Sequence, residues 1–277
     1  MKLALLILSM LISPLSCAED SKPVYIVNLK SQCLIGGVKN KHWLESAKLS
    51  PFAHYPNKYK VFNLSGDVIN MSAAKPKLMG YPCENEYQVN FKKKDKPIFA
   101  TALGNVSWNP IPRAIKKLST DNKTYQKITH EILVSAGISK PAVRLKQVLK
   151  TDVQGDGVDE VFILASYFHD RNSKDILSNI PTYAKSGDYS LVIFRSVING
   201  QVSNDIIVSD IHSQVTSSPQ QPPPNPKEFA INSILDLNGD GVMEVIIDAE
   251  IHEGQWSTIY QLENNKWYDR LFCGCGL

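Results

Sequence analysis

The chain has 277 residues, of which 43% are hydrophobic and 21% are charged, as in ordinary globular proteins. This length is sufficient for one large or two small domains with hydrophobic cores. The formal net charge of +3 at pH 7 is too small to favour a nucleic acid or a membrane surface as a partner.

The first residues have the layout of a secretory signal. Lys2 precedes an apolar run at 3–12, and Pro14 and several small residues follow. The run is too short to span a bilayer, so residues 1–18 are interpreted as a signal peptide and the protein as periplasmic or extracellular. The alternative is a lipoprotein anchored through Cys17, although proline stands where such signals usually have leucine. No later stretch is long and apolar enough to predict an integral membrane segment.

Export makes the cysteines candidates for disulfide bonds. Removal of the signal takes away Cys17 and leaves Cys33, Cys83, Cys273 and Cys275. An even set in an oxidising compartment favours two bridges, for which there are three connectivities. The favoured pairing is Cys33 with Cys83, which leaves Cys273 and Cys275 to close a small, strained ring. The alternative is two bridges from the N-terminal region to the C-terminal tail.

Residues 19–118 are predicted to form a β-rich N-terminal domain. Short runs of β-forming residues occur at 24–29, 59–64 and 86–91, and turn residues separate them. The segment Trp-Asn-Pro-Ile-Pro at 108–112 is expected to interrupt regular structure, because proline lacks a backbone N–H.

One connecting helix is predicted within residues 119–140. The apolar residues that share one of its faces at helical spacing are Tyr125, Ile128, Ile132, Leu133 and Ala136. Polar residues at 120–122 offer N-caps, and Gly137 is a natural stop. We expect a helix that packs on the core and has no catalytic role.

Residues 141–277 are predicted to contain two tandem copies of a four-stranded antiparallel unit, at about 143–212 and 228–277. In each copy a first strand leads into an acidic loop, and a second strand begins at a glutamate. A third and a fourth strand follow, joined by hairpin turns at 199–200 (Asn-Gly) and 264–265 (Asn-Asn). The predicted fold class is therefore mainly β with one packing helix.

The two acidic loops have the oxygen spacing of a calcium site. They read Asp-Val-Gln-Gly-Asp-Gly-Val-Asp-Glu at 152–160 and Asp-Leu-Asn-Gly-Asp-Gly-Val-Met-Glu at 236–244. Side-chain oxygens recur at positions one, three, five and nine, glycine at six permits a sharp turn, and position seven offers a backbone carbonyl. The predicted ligands are Asp152, Gln154, Asp156, the carbonyl of Val158 and Glu160 in the first loop, and Asp236, Asn238, Asp240, the carbonyl of Val242 and Glu244 in the second.

The alternative interpretation of each loop is a polar hairpin turn without a metal. Two copies in matching strand contexts favour calcium instead. The β-branched residues after each glutamate indicate strands, so the loops belong to β-hairpins and not to a helix–loop–helix. One or two structural calcium ions are therefore expected to brace the strands.

The second loop and the strand after it, Asp-Leu-Asn-Gly-Asp-Gly-Val-Met-Glu-Val-Ile-Ile, resemble the FG-GAP or VCBS-type repeat. This repeat is the β-propeller blade of integrin α-chains and of many bacterial surface proteins. The resemblance covers about 143–277, and it implies blade-like units that calcium stabilises and that serve adhesion or ligand binding. Two copies are too few to close a propeller of four or more blades, so we expect a compact two-unit β-domain.

The sequence therefore predicts a secreted calcium-binding β-repeat protein that binds an extracellular or periplasmic protein or glycan, or acts as a scaffold. No catalytic residue is predicted, because the chain contains no nucleophile elbow, paired-histidine zinc motif or phosphate-binding glycine loop. One alternative is a thiol–disulfide exchange protein that uses Cys273 and Cys275. Another is a hydrolase with an unrecognised site, which would require a deep polar cleft with convergent carboxylates.

Overall fold

The computed structural model describes residues 22–49, 55–92, 99–171, 175–218, 220 and 222–276. The predicted signal peptide at 1–18, which includes Cys17, lies outside these residues. Within them, no helix is both long enough and apolar enough to cross a membrane.

The N-terminal region forms a six-stranded antiparallel sheet, called here the N-terminal sheet, and a small two-stranded sheet. Its elements are β1 (Val24–Asn28), β2 (Leu34–Lys39), β3 (His42–Glu45), α1 (Ser46–Leu49), β4 (Lys58–Asn63), β5 (Val68–Ser72), β6 (Lys77–Leu78), β7 (Tyr87–Gln88) and β8 (Ala100–Gly104). The strand order is β3-β2-β1-β8-β4-β5, and β6 pairs with β7. The central strands β1 and β8 are buried along their whole length.

The first repeat forms a five-stranded antiparallel sheet, called here the first-repeat sheet. The elements of this part are β9 (Lys116–Lys117), α2 (Lys123–Ser135), β10 (Leu145–Thr151), β11 (Glu160–Tyr167), β12 (Tyr189–Ile198) and β13 (Gln201–Ile211). The strand order is β13-β12-β11-β10-β9. The expectation of four strands is corrected here, because the backbone of Lys116 and Lys117 pairs with the open edge of β10.

The second repeat forms the predicted four-stranded antiparallel sheet, called here the second-repeat sheet. Its strands are β14 (Glu228–Leu235), β15 (Glu244–Ile251), β16 (Gly254–Glu263) and β17 (Lys266–Gly276). They pair in the order β14-β15-β16-β17, and the described part of the chain contains no closed sheet. The prediction of a mainly β protein is confirmed.

The predicted packing helix is α2. It begins after Asn122, whose side-chain oxygen accepts hydrogen bonds from the N–H groups of Thr124 (3.0 Å) and Tyr125 (3.4 Å). It ends before Gly137, which has a φ of +98°. Leu133 is buried against the first-repeat sheet. The four-residue helix α1 was not predicted.

The second-repeat sheet lies between the other two large sheets. One core cluster joins it to the first-repeat sheet, through residues that include Phe162, Phe194, Ile231, Val245 and Ile247. Another joins it to the N-terminal sheet, through residues that include Val24, Ile26, Leu103, Ile246 and Ile259. Neighbouring residues of one strand point to opposite faces, so Ile246 and Ile247 lie in different cores. This burial on both faces explains why consecutive apolar residues, such as Val245, Ile246 and Ile247, occur in β15.

A buried polar network crosses the contact between the N-terminal sheet and the second-repeat sheet. Its centre is Asp248, which is 3% exposed. Its Oδ1 accepts hydrogen bonds from Asn28 Nδ2 and Ser257 Oγ, and its Oδ2 accepts one from Asn232 Nδ2, each at 2.7 Å. Burial raises the pKa of Asp248 to about 6, although these hydrogen bonds and nearby Lys30 act in the opposite direction.

Asp248 is expected to make stability depend on pH. The folded pKa is about 6 and the ordinary value is 3.8, so between them the folded state holds a proton that the unfolded state has released. This difference in pKa contributes roughly 3 kcal/mol to the free energy of unfolding. The contribution is complete below about pH 4 and is lost as pH rises through about 6. Urea unfolding across this range measures the slope. Asp248→Asn cannot titrate and should lack this part of it, so equal slopes in both proteins would contradict the assignment.

Two disulfides tie the last strand to the N-terminal region. Cys33 is bonded to Cys273 and Cys83 to Cys275, with Cα–Cα distances of 6.3 and 5.5 Å. The favoured Cys33–Cys83 pairing is therefore wrong, and the alternative of two bridges to the C-terminal tail is observed. The reason is that Cys273 and Cys275 are alternate residues of the extended strand β17, so both side chains face the N-terminal region together.

Tryptic digestion without reduction tests this connectivity. Cys273 and Cys275 share the peptide 271–277, so we expect one species in which peptides 31–39, 78–92 and 271–277 are joined by two bonds. Mass spectrometry of the digest identifies it, and fragmentation at Gly274 assigns each partner. A two-peptide species of 31–39 with 78–92, beside a separate 271–277, would instead restore the rejected pairing.

Candidate metal centre

The two predicted calcium loops occupy equivalent places in the fold and lie against each other. The first connects β10 to β11, and the second connects β14 to β15. The backbone N–H of Met243 donates a hydrogen bond of 3.0 Å to the carbonyl of Val153. The stacking of the two repeat sheets thus brings both candidate sites to one end of the protein.

The first loop is folded around the carboxylate at position one. Asp152 Oδ1 accepts hydrogen bonds from the N–H groups of Gly155 (2.6 Å) and Asp156 (3.2 Å), and its Oδ2 accepts one from Gly157 (3.0 Å). The Oδ1 of Asp156 accepts a hydrogen bond of 2.9 Å from the N–H of Val158. These bonds make the loop turn sharply where the spacing predicted a turn around an ion.

The second loop repeats this pattern and is more deeply buried. Asp236, at 5% exposure, accepts hydrogen bonds from the N–H groups of Gly239 (2.7 Å) and Gly241 (3.1 Å). Asp240 Oδ1 accepts one of 2.8 Å from Val242. Burial raises the pKa of Asp236, and nearby Asp240 adds to this effect, while the loop N–H groups act in the opposite direction.

The residues at position three also take part in the loops. Asn238 is 4% exposed, and its side-chain oxygen accepts a hydrogen bond of 2.9 Å from the N–H of Asp240. In the first loop the longer Gln154 instead forms a side-chain hydrogen bond with Glu160. The side chain at position three therefore has a different hydrogen-bond partner in each loop.

The glutamates at position nine are both buried. Glu160 and Glu244 are 1% and 0% exposed, and their Oε2 atoms accept hydrogen bonds from the N–H groups of Val153 (2.7 Å) and Leu237 (2.8 Å). Burial raises the pKa of both glutamates. The Oε1 of Glu244 has no hydrogen-bond partner among the described residues. A buried carboxylate oxygen in this state is costly, and a cation bound in the loop would satisfy it.

The carboxylates of each loop are spread more widely than in a closed calcium shell. Across the described residues, three His, Cys, Asp or Glu ligand atoms lie within 4.8 Å of one another only at Cys33, Glu86 and Cys273. Two of these are joined in a disulfide and offer no thiolate. Ligands at 2.3–2.6 Å from one ion are at most about 5 Å apart. The loops therefore contain the predicted donors in order, but three of their carboxylate oxygens do not lie within 4.8 Å of one another.

Arg113 connects the two loops. Its guanidinium donates hydrogen bonds to the carbonyls of Asp152, Val153 (2.9 Å) and Gly241 (2.6 Å). None of these carbonyls is a predicted calcium ligand. Gly155 has a φ of +77°, and a Cβ there would lie 3.0 Å from the Arg113 Nη1, so glycine permits both the turn and the close contact.

Trp108 has a similar role at the second loop. Its Nε1 donates a hydrogen bond of 2.8 Å to the carbonyl of Asp236. A Cβ at Gly239 would lie 3.1 Å from its indole ring. The sequence interpretation did not connect Trp108 or Arg113 with the loops, because it treated Trp108 as a core or sugar-binding residue and 108–112 as an interruption. The arginine and tryptophan around two prolines were the available signal, but no spacing rule connects them to the loops.

Comparisons of the chain with protein-family models, curated proteins and solved structures gave no match. The resemblance to the FG-GAP or VCBS-type repeat therefore depends on the loop spacing and the consecutive strand order of each repeat.

Replacement of Arg113 by methionine is expected to destabilise the protein. Three backbone carbonyls lose a charged donor, which should lower the free energy of unfolding by about 2–4 kcal/mol. Urea denaturation in the presence of EDTA measures this without any contribution from metal. Arg113→Lys keeps the charge but cannot reach three carbonyls, so it should be intermediate. Equal stability of Arg113→Met and the unmodified protein would show that the contact is not stabilising.

Proposed function

We propose that this protein is an exported β-repeat protein that is stabilised by calcium and acts as a binding or scaffold module. The proposal depends on one observation above all. Two loops with the same ligand spacing lie side by side, and each ends in a buried glutamate. The second loop is the stronger candidate, because the Oε1 of its Glu244 is buried without a hydrogen-bond partner.

Calcium would act here as a structural ion. Asp236, Asp240 and Glu244 would hold it in the second loop, with Asn238 and the carbonyl of Val242. Each loop joins two strands that are central to the contact between the repeat sheets, so neutralising its carboxylates would stabilise the folded state. The equivalent residues of the first loop would bind more weakly, because Gln154 is longer than Asn238 and already bonds to Glu160.

The arrangement of the sheets supports blade-like repeats. Each repeat sheet has consecutive antiparallel strands, and the two sheets pack face to face through a shared core. The N-terminal sheet covers the other face of the second-repeat sheet. The two disulfides support export, because such bonds persist mainly in oxidising compartments.

The two alternative functions have less support. Cys273 and Cys275 are bonded to other partners and do not form the strained pair that thiol exchange would use. A hydrolase would need convergent carboxylates in a deep polar cleft. The cleft with a volume of about 1020 Å³ is lined by three cationic residues and two carboxylates. As many apolar as charged residues line it, which favours ligand binding over acid–base hydrolysis.

Calcium is expected to raise the thermal midpoint of the protein relative to EDTA. Binding to the folded state alone should stabilise by about 2.7 kcal/mol when calcium is a hundredfold above its dissociation constant. Asp156→Ala and Asp240→Ala should each reduce this calcium-dependent shift. Each variant must be compared with itself in EDTA, because both aspartates also accept a hydrogen bond within their loop.

Asp159→Ala is the matched control for the first loop. Asp159 is an acidic residue of the same loop that is not a predicted ligand, and its carboxylate is paired with Lys150 at 3.0 Å. Its calcium-dependent shift should equal that of the unmodified protein. Identical melts with calcium and with EDTA would mean that the loops are turns without a metal, and the proposed role of calcium would be rejected.

A further inference from the structure

The cleft of about 1020 Å³, called here the junction cleft, lies where four parts of the chain meet. Lys30 and Phe99 line it beside the N-terminal sheet, and Thr120, Asp121 and Gln126 line it around the start of α2. The remaining walls are residues 143–146, which lead into and begin β10, and residues 175–178, which lie between β11 and β12. Small-molecule sites often occupy such junctions between structural units.

The junction cleft is lined by charged residues of both signs. Lys30, Arg144 and Lys146 line it, against the carboxylates of Asp121 and Asp175. Lys30 is already paired with Glu250 outside the cleft. The guanidinium of Arg144 is 4.8 Å from the centroid of the Tyr167 ring, a contact that orients the cation without neutralising it.

Lys146 lies in a partly desolvated environment with two cations and two carboxylates nearby. Burial lowers its pKa, and nearby Arg171 and Arg144 lower it further. Glu228 and Asp175 act in the opposite direction but do not reverse the shift. An anion placed near this ammonium group would relieve the repulsion between the cations.

Arg171 is a buried cation close to Lys146. It is 7% exposed and forms an ion pair of 2.5 Å with Glu228. Glu228 also accepts hydrogen bonds from Ser166 Oγ (2.7 Å) and from the N–H of Leu177 (2.6 Å). The bond to Leu177 fixes the 175–178 wall of the cleft against the second-repeat sheet. The 175–178 wall is therefore held by a buried carboxylate.

The other residues of the cleft are largely apolar. Five of its eight uncharged residues are apolar, namely Phe99, Val143, Leu145, Ile176 and Leu177, and the other three are Thr120, Gln126 and Ser178. We infer that the junction cleft binds an organic anion with an apolar body, whose acidic group pairs with Arg144 and Lys146. This inference rests on the proposed binding role and names its ligand class, but it does not depend on calcium.

Anilinonaphthalene sulfonate is a suitable probe, because it joins a sulfonate to an aromatic body and fluoresces in apolar sites. A fluorescence titration of the full chain should show saturable binding at one site. Arg144→Ala and Lys146→Met should each weaken it at least tenfold. Decanoate should displace the probe, whereas decyltrimethylammonium, which has the same chain and opposite charge, should not.

Lys116→Met is the matched control. It removes the same charge from the exposed strand β9, outside the cleft, and should leave the affinity unchanged. Lys146→Arg keeps the charge and should retain binding, which separates a charge effect from a general loss of structure. The inference is overturned if the unmodified protein does not bind the probe. It is also overturned if Arg144→Ala and Lys146→Met bind as tightly as the unmodified protein, or if Lys116→Met is weakened equally.

The same titration is repeated in EDTA and in calcium, beside the thermal melts. If the probe binds in the cleft but the thermal midpoint is the same in calcium and in EDTA, the structural role of calcium is rejected and this inference stands. A calcium-dependent midpoint without probe binding would reject this inference alone.

Discussion

The second-repeat sheet must bury both of its faces, and most of the fold follows from this constraint. In a sheet with one solvent-exposed face, buried and exposed residues alternate along each strand. In β14, by contrast, every residue is buried. The sheet therefore needs a layer on each side, and the first-repeat sheet and the N-terminal sheet supply them. The N-terminal sheet thus shares a core with the second-repeat sheet, and its removal would leave a large apolar face exposed.

The candidate metal ligands consequently lie at the ends of the strands and in the connections between them. Both candidate calcium loops lie where a first strand turns into a second, and the stacking of two equivalent hairpins places them in contact. The connection that leaves the N-terminal region crosses them, with Trp108 on one and Arg113 on both. An ion in either loop would therefore stabilise the contact between three parts of the chain and not one hairpin alone.

The sequence predicted the features that depend on local periodicity. The loop spacing and the helix that contains Leu133 follow from patterns within one element or one hairpin, and the two repeats follow from the recurrence of one such pattern along the chain. It could not predict contacts that depend on tertiary structure. The disulfide partners are 240 and 192 residues apart, and Arg113 is 128 residues from Gly241. The junction cleft is likewise formed by segments that are far apart in the sequence, so no local motif predicts it.

The buried charges lie at the contacts between sheets, where apolar packing alone leaves the alignment undetermined. Val, Ile and Leu side chains could interdigitate in several ways if one sheet moved over another, at modest cost. A buried carboxylate tolerates no such shift, because every lost hydrogen bond leaves it unsatisfied. Asp248 is satisfied only when β1 and β16 are in their present positions, and Glu228 only when Arg171 and Ser166 meet it from the first repeat. These two carboxylates lower the achievable stability, but they select one arrangement of three apolar layers.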